Sequence, residues 1–170
     1  MTVRPVVDAD AKVWDLAATV CDPEVPVLTL EDLGVLRSAR ATEKGALVEI
    51  TPTYSGCPAL GVMRDDVTQV LVENGYQDVE VRVVLSPAWT TDWMSEDGKR
   101  KLTEYGIAPP DPAHRRQGPR FGGTPVALAV KCPHCHSLDT VEASRFGSTA
   151  CKALYTCKSC LEPFDYFKVL

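Results

Sequence analysis

The sequence predicts a mixed α/β protein, in which a small two-layer domain is followed by a short cysteine-rich module. Helical and strand periodicities alternate through residues 1–110 in the order α-β-β-α-β-α. Prolines and glycines are concentrated between residues 107 and 124. Five of the seven cysteines then lie between Cys132 and Cys160. These three observations predict two folded parts with a connection between them.

The expected boundaries follow from the same composition changes. We expect the two-layer domain over residues 1–108 and a Pro/Gly-rich linker over residues 109–125. The remaining module, residues 126–170, is too short to be stabilised by an apolar core alone. It therefore needs another source of folding energy, which its cysteines can supply through a metal ion.

The elements of the first domain are predicted in chain order. A helix over residues 8–20 places four apolar residues on one face: Val13, Leu16, Ala17 and Val20. Pro23 and Pro26 follow its end. The other elements are predicted as strands at 35–40 and 46–51 joined by a glycine-containing turn, a helix at 58–74, a strand at 79–85 and a helix at 95–105.

Charge and hydropathy exclude several classes of protein. Residues 1–110 contain 10 basic and 18 acidic residues, a balance of −8, which argues against nucleic acid as a partner. The sequence contains no run of 18 or more apolar residues, so we expect no membrane span. The N-terminus lacks the apolar core of a signal peptide. We therefore expect a cytoplasmic protein with reduced cysteines, whose roles are metal binding or reactivity.

Cys57 is the candidate reactive residue of the first domain. It lies in the stretch Thr51–Leu60, between a predicted strand and a helix whose first residue we expect to be Pro58. The N–H groups at a helix start favour a thiolate, and Gly56 allows a sharp turn and close approach. The alternative is a buried cysteine that only packs.

Two acidic residues lie upstream, in Asp22-Pro23-Glu24-Val25-Pro26. Asp22 and Glu24 alternate in an extended segment, so their side chains can project to one side. The alternative is a pair of exposed loop carboxylates. Cys21, which precedes them, is expected in the core.

The cysteine-rich module contains two C-x2-C pairs, Cys132/Cys135 and Cys157/Cys160, separated by 21 residues. Each pair presents two sulphurs from one turn, and two such turns form a tetrahedral cage typical of a zinc-ribbon-like module. Zinc is the favoured metal, with a single iron or an iron–sulphur cluster as alternatives. Cys151 is a fifth thiol that can enter the cage, stay free or pack.

These motifs resemble a known family. Asp22–Pro26, Asp32-Leu33-Gly34-Val35 and Thr51–Pro58 resemble the SufT-like iron–sulphur assembly family over residues ~10–108, and Ser144–Tyr155 with the flanking cysteines is similar to the tail of its PaaD-like members. The resemblance implies a reactive Cys57 that handles a transient iron–sulphur cluster, with Asp22 and Glu24 nearby. It also implies that Cys132, Cys135, Cys157 and Cys160 hold the metal.

The resemblance further implies a role in aerobic phenylacetate degradation. The expected function is an accessory or maturation factor for the multicomponent phenylacetyl-CoA 1,2-epoxidase, assisting iron–sulphur cluster assembly on its reductase component, with no turnover of its own. Two alternatives stay open: a redox carrier with iron at the tail cysteines, and a structural subunit of the oxygenase. The oligomeric state also stays open, a homodimer included.

Overall fold

The computed structural model describes residues 5–111 and 129–170, and most of the predicted linker lies outside these residues. The helices are α1 (Asp8–Ala17), α2 (Leu60–Glu73) and α3 (Glu96–Glu104). The strands are β1 (Leu36–Ala41), β2 (Gly45–Ile50), β3 (Asp78–Val83), β4 (Ile107–Ala108), β5 (Thr140–Ser144), β6 (Lys152–Cys157) and β7 (Pro163–Phe167). The mixed α/β class is confirmed. None of the described helices is long and apolar enough to cross a membrane.

The chain divides into two compact units, Met1–Gly98 and Lys99–Leu170, called unit 1 and unit 2 below. In unit 1, a three-stranded sheet has the order β1-β2-β3, with β1 antiparallel and β3 parallel to β2. The parallel pair requires a crossover, which α2 provides. Because Leu36 pairs with Ile50 and Val48 with Val81, these buried side chains share the sheet face that packs against the helices.

The helices of unit 1 cover that face with residues at helical spacing. Met63, Val67 and Leu71 of α2 are each at most 1% exposed, and full burial of one such side chain contributes about 1.5–3 kcal/mol. Helix α1 ends at Ala17, three residues earlier than predicted, because Thr19 Oγ1 donates to the Leu16 carbonyl at 2.7 Å in a turn that closes the helix.

The segment Asp32-Leu33-Gly34-Val35 anchors a tryptophan-containing loop. Gly34 has φ +67°, and a Cβ there would overlap the Trp93 carbonyl and lie 2.6 Å from Trp93 Cβ. Trp89 Nε1 donates to the Leu33 carbonyl at 2.9 Å, and Ser95 Oγ donates to Asp32 Oδ1 at 3.1 Å. Glycine is therefore required at position 34 both by conformation and by space.

Unit 2 contains a four-stranded sheet of order β4-β7-β6-β5. Strand β4 pairs parallel to β7, while β6 pairs antiparallel with both β5 and β7. One face of this sheet contributes to a buried core cluster, whose members are Ala108, Val130, Cys132, Ala153, Cys157, Phe164 and Tyr166. Two of the seven cluster residues are cysteines, so the apolar core of unit 2 is continuous with the predicted metal site.

Candidate functional site

The four cysteines of the two C-x2-C pairs come together in unit 2. The Sγ atoms of Cys132, Cys135, Cys157 and Cys160 all lie within 4.8 Å of one another. The sulphurs of Cys135 and Cys157 are 3.5 Å apart, and those of Cys132 and Cys160 are 3.8 Å apart. A metal–sulphur bond of about 2.3 Å in a tetrahedral site gives a sulphur–sulphur separation of about 3.8 Å. The four thiols therefore fit a tetrahedral metal ion.

The two turns that present these thiols are built alike. His136 and Leu161 each follow the first cysteine of their turn by four residues, and both have left-handed backbones, with φ of +62° and +66°. This conformation is uncommon for residues other than glycine. It allows the N–H of Cys132 to reach the Ser137 carbonyl at 2.9 Å and that of Cys157 to reach the Glu162 carbonyl at 3.0 Å.

A direct side-chain contact also joins the two turns. Ser137 Oγ and Ser159 Oγ lie 2.7 Å apart, within hydrogen-bonding distance. Sequence reasoning missed both serines, and also the left-handed residues. The only available signal was the repetition of the C-x2-C spacing, which indicates two turns of one type without specifying their neighbours.

Backbone hydrogen bonds make the thiols of the cluster unequal. The N–H of Cys160 donates to Cys157 Sγ at 3.5 Å, and this bond, together with a backbone hydrogen bond from Ser159 and the neighbouring thiols, lowers the pKa of Cys157 to about 6. A backbone hydrogen bond from Glu162 acts in the same direction on Cys160, but burial and the neighbouring thiols outweigh it and raise the pKa of Cys160 to about 12. Since thiolates are the metal ligands, metal binding to this cluster releases protons.

Cys151 lies apart from this cluster. It is 5% exposed, and its Sγ is 3.0 Å from Thr149 Oγ1. Among the described residues, the group that can hold a metal ion consists of the other four cysteines. The geometry thus places Cys151 in the packed interior beside its neighbour on the β5–β6 turn.

Cys57 lies in the loop between β2 and α2. Its N–H donates to the Tyr54 carbonyl at 3.2 Å, and its carbonyl accepts from the Leu60 N–H at 3.3 Å. Helix α2 begins at Leu60, so Pro58 lies two residues before the helix and not at its first position as predicted. Pro58 and Ala59 form a turn that leads into the helix.

The surroundings of Cys57 combine a buried residue with exposed neighbours. Cys57 is 9% exposed, whereas Ser55, Gly56 and Pro58 are exposed. A Cβ on Gly56 would contact only the Tyr54 ring, at 3.7 Å, so the space beside this glycine is open. The first turn of α2 contains neither an acidic residue nor a side-chain cap, so none of its own side chains neutralises its positive end.

The upstream acidic residues have different environments. Asp22 is 6% exposed, and its Oδ1 accepts hydrogen bonds from the N–H groups of Glu24 at 2.6 Å and Val25 at 3.0 Å. The Asp22 N–H donates to the Leu28 carbonyl at 2.9 Å, which closes the loop at its base. Asp22 therefore shapes the loop, while Glu24 is half-buried.

A cleft of about 470 Å³ lies between this loop and α2. The described residues that line this cleft include Cys21, Asp22, Asp66 and Glu73. Cys57 is not among them. Cys21 is exposed, so the expectation that it belongs to the core is wrong. Cys21 forms an isolated β-bridge with Thr29 and lines the cleft instead of belonging to the core.

Comparisons with known proteins agree with both units. The family model described as "Iron-sulfur cluster assembly protein" matches residues 10–83, and "PaaD zinc beta ribbon domain" matches residues 116–168. A protein of Escherichia coli (strain K12), named as a subunit of the "Putative 1,2-phenylacetyl-CoA epoxidase", is 45% identical over 161 residues, which cover 94% of this chain and 92% of that protein.

Two further relatives resemble the first part of the chain. The "Fe-S protein maturation auxiliary factor SufT" of Staphylococcus aureus (strain USA300) is 38% identical over 85 residues, covering 49% of this chain and 96% of that protein. A crystal structure of a domain of unknown function, DUF59, from Bacillus anthracis has 32% identity and a TM-score of 0.51, and covers 55% of this chain and 90% of that one. With 45% identity to the Escherichia coli protein over 92% of that relative's length, the chain belongs to the PaaD family, which joins an iron–sulphur assembly domain to a zinc β-ribbon.

Proposed function

We propose that this chain is an accessory factor of phenylacetyl-CoA 1,2-epoxidase in aerobic phenylacetate degradation. In this proposal it acts in the cytoplasm and assists iron–sulphur cluster assembly on the reductase component of the enzyme. One observation supports the proposal most: a single chain carries an iron–sulphur assembly domain and a four-cysteine ribbon, and resembles the Escherichia coli epoxidase protein over 94% of its length. We expect no turnover of its own on phenylacetyl-CoA.

Cys57 is the residue that we propose handles the cluster. An iron–sulphur cluster is here a substrate, held through one thiolate and passed to the reductase by ligand exchange. A client thiolate replaces the Cys57 thiolate at iron, so one iron–sulphur bond breaks as another forms and no electron is transferred. The open space beside Gly56 and the uncapped start of α2 support a thiolate at this position.

The other predicted residues have supporting roles in this proposal. Asp22 and Glu24 form the acidic loop of the site, with Asp22 fixing the loop backbone through its two accepted hydrogen bonds. The ribbon cysteines hold zinc, which supplies folding energy to unit 2 and no redox chemistry. The sulphur distances support this assignment, since they match a closed tetrahedral site.

The test is the cluster content of the reductase. The reductase component is purified anaerobically from cells that contain or lack this chain, and its iron and acid-labile sulphide are measured. We expect a depleted cluster in the absence of the chain, with the flavin retained. Full cluster content without the chain would contradict a maturation role. In that case, a coloured, iron-containing chain would favour the redox carrier, and a colourless, stable complex with the oxygenase would favour the structural role.

A further inference from the structure

The turn between β5 and β6 presents an exposed aromatic side chain on a fixed backbone. Phe146 is 67% exposed, although phenylalanine is usually buried. Ser144 Oγ donates to the Phe146 carbonyl at 2.8 Å, and the Gly147 N–H donates to the Lys152 carbonyl at 2.9 Å. These bonds hold the turn, so the ring is exposed from an ordered backbone.

A buried ion pair lies beneath this turn. Lys152 is 5% exposed, and its Nζ lies 3.1 Å from Asp165 Oδ2. A Cβ on Gly147 would lie 3.0 Å from Asp165 Oδ1 and 3.3 Å from Lys152 Cβ, so the turn packs closely on the pair. This support fixes the position of the Phe146 backbone and lowers the entropy lost when the ring is buried by a partner.

One cation lies over the exposed ring, and a second cationic residue precedes it in the chain. Lys168 Nζ lies 4.7 Å from the centroid of the Phe146 ring and donates to the Arg145 carbonyl at 3.1 Å. Arg145 itself is exposed. The carboxylates of the same sheet have partners, since Asp165 pairs with Lys152 and Glu142 accepts from the Tyr155 hydroxyl. Phe146 is therefore an exposed apolar ring with one cation at its face and an exposed cationic residue next to it in the chain.

The adjoining strands carry two further exposed apolar side chains. Ala153 belongs to the core cluster and Tyr155 packs against it, so Leu154 lies on the opposite sheet face, where it is 37% exposed. Val141 of the edge strand β5 is 44% exposed. An exposed aromatic residue on an ordered backbone, on a surface that also exposes smaller apolar residues and cations, is typical of the anchor of a protein interface.

We infer that Arg145, Phe146 and Lys168 form a docking surface for an acidic protein partner, whose pocket takes the Phe146 ring and whose carboxylates meet the two cations. A protein fits better than a polyanion. Nucleic acids and anionic bilayers present dense negative charge over a wide area, and the whole chain has a formal charge of −5. Two cations suit a short-range contact with a few carboxylates.

The inference rests on the proposed function, because it takes an epoxidase component as the partner. The test below distinguishes failure of the docking surface from failure of the proposed function. The full-length, metal-loaded chain is titrated with the purified reductase and, separately, with the purified oxygenase. We expect Phe146→Ala to raise the Kd for one of them at least roughly tenfold. Arg145→Glu should weaken the same complex mainly at low salt. Tyr105→Ala is the matched control, since Tyr105 is an aromatic residue of unit 2 that is 56% exposed.

Each outcome decides a different point. Binding by Phe146→Ala equal to that of the parent chain would overturn the docking surface and leave the proposed function standing. Binding of neither component by the parent chain would overturn both. Binding of single-stranded DNA or of phosphatidylserine vesicles that is lost in Phe146→Ala would assign the surface to a polyanion and overturn the protein partner. Loss of binding in Tyr105→Ala as well would make the Phe146 effect unspecific and also overturn the inference.

Discussion

The Sγ atoms of Cys132 and Cys160 lie 3.8 Å apart, although 28 residues separate them in the chain. Strands β5 and β6 lie within that interval, so the short sulphur–sulphur distance and the antiparallel ribbon depend on each other. Metal binding is therefore expected to be coupled to the folding of unit 2.

Replacing one ligand tests this coupling. We expect Cys132→Ser to lose its metal and unfold the ribbon, because structural zinc contributes apparent free energies of about 10–16 kcal/mol in small modules. Metal analysis and near-ultraviolet circular dichroism measure the two effects. Cys151→Ser is the control, since this buried thiol lies outside the cluster and its loss should leave the metal content unchanged. A metal-loaded Cys132→Ser protein would show that the ligand set is wrong.

Two glycines of unit 1 give opposite predictions. Gly34→Ala should destabilise unit 1 by about 2 kcal/mol or more, because φ is +67° and the new methyl group would overlap the Trp93 backbone. Gly61→Ala should stabilise it by about 0.5–1 kcal/mol, since Gly61 is in α2 and no atom lies within 4 Å of its added Cβ. Urea unfolding measures both, and equal effects would refute the steric argument.

Two substitutions of Asp22 separate its role in shaping the loop from the role of its charge. Asp22→Ala should cost about 1–2 kcal/mol, because the N–H groups of Glu24 and Val25 lose their acceptor. Asp22→Asn keeps an acceptor oxygen and should be close to the parent chain in thermal stability. If the charge takes part in cluster handling, only the reductase assay will distinguish Asp22→Asn from the parent. Normal activity of a stable Asp22→Asn protein would limit Asp22 to shaping the loop.

The buried hydroxyl of Tyr166 should make the stability of unit 2 depend on pH. Burial raises the pKa of its hydroxyl to about 12, against an opposing hydrogen bond with the backbone of Asp111. The folded state therefore holds this proton more tightly than the unfolded state, and the resulting stability is complete below about pH 10 and lost as the pH rises towards 12. Unfolding of Tyr166→Phe should depend less steeply on pH above 10. An unchanged slope would contradict the burial effect.

The regular elements of unit 1 were predictable from periodicity. Alternation predicted β3. Helical spacing predicted α2 from five apolar residues, Leu60, Met63, Val67, Val70 and Leu71, of which Met63, Val67 and Leu71 are buried. The four ribbon cysteines were predictable because the C-x2-C spacing is set by the turn that presents two sulphurs to one ion.

Contacts between distant segments were not predictable in the same way. The bond from Ser95 to Asp32 joins residues 63 positions apart, and no local pattern encodes it. Cys21 is exposed and bridges Thr29, and periodicity reveals neither feature. The Phe146 turn has no helical or strand period, so its exposure was not predictable, and neither was the Lys152–Asp165 pair that packs beneath Gly147.

The central claim is that the Cys57 thiol handles the cluster supplied to the epoxidase reductase. The most direct measurement is the iron and sulphide content of reductase from cells in which Cys57→Ser replaces the parent chain, with Cys57→Ala as a second variant because the site is buried. Cys21→Ser, which removes an exposed thiol of the same unit, is the control. We expect cluster content as low as in cells without the chain for both Cys57 variants, and normal content for Cys21→Ser. Normal cluster content with a folded Cys57→Ser chain would contradict it.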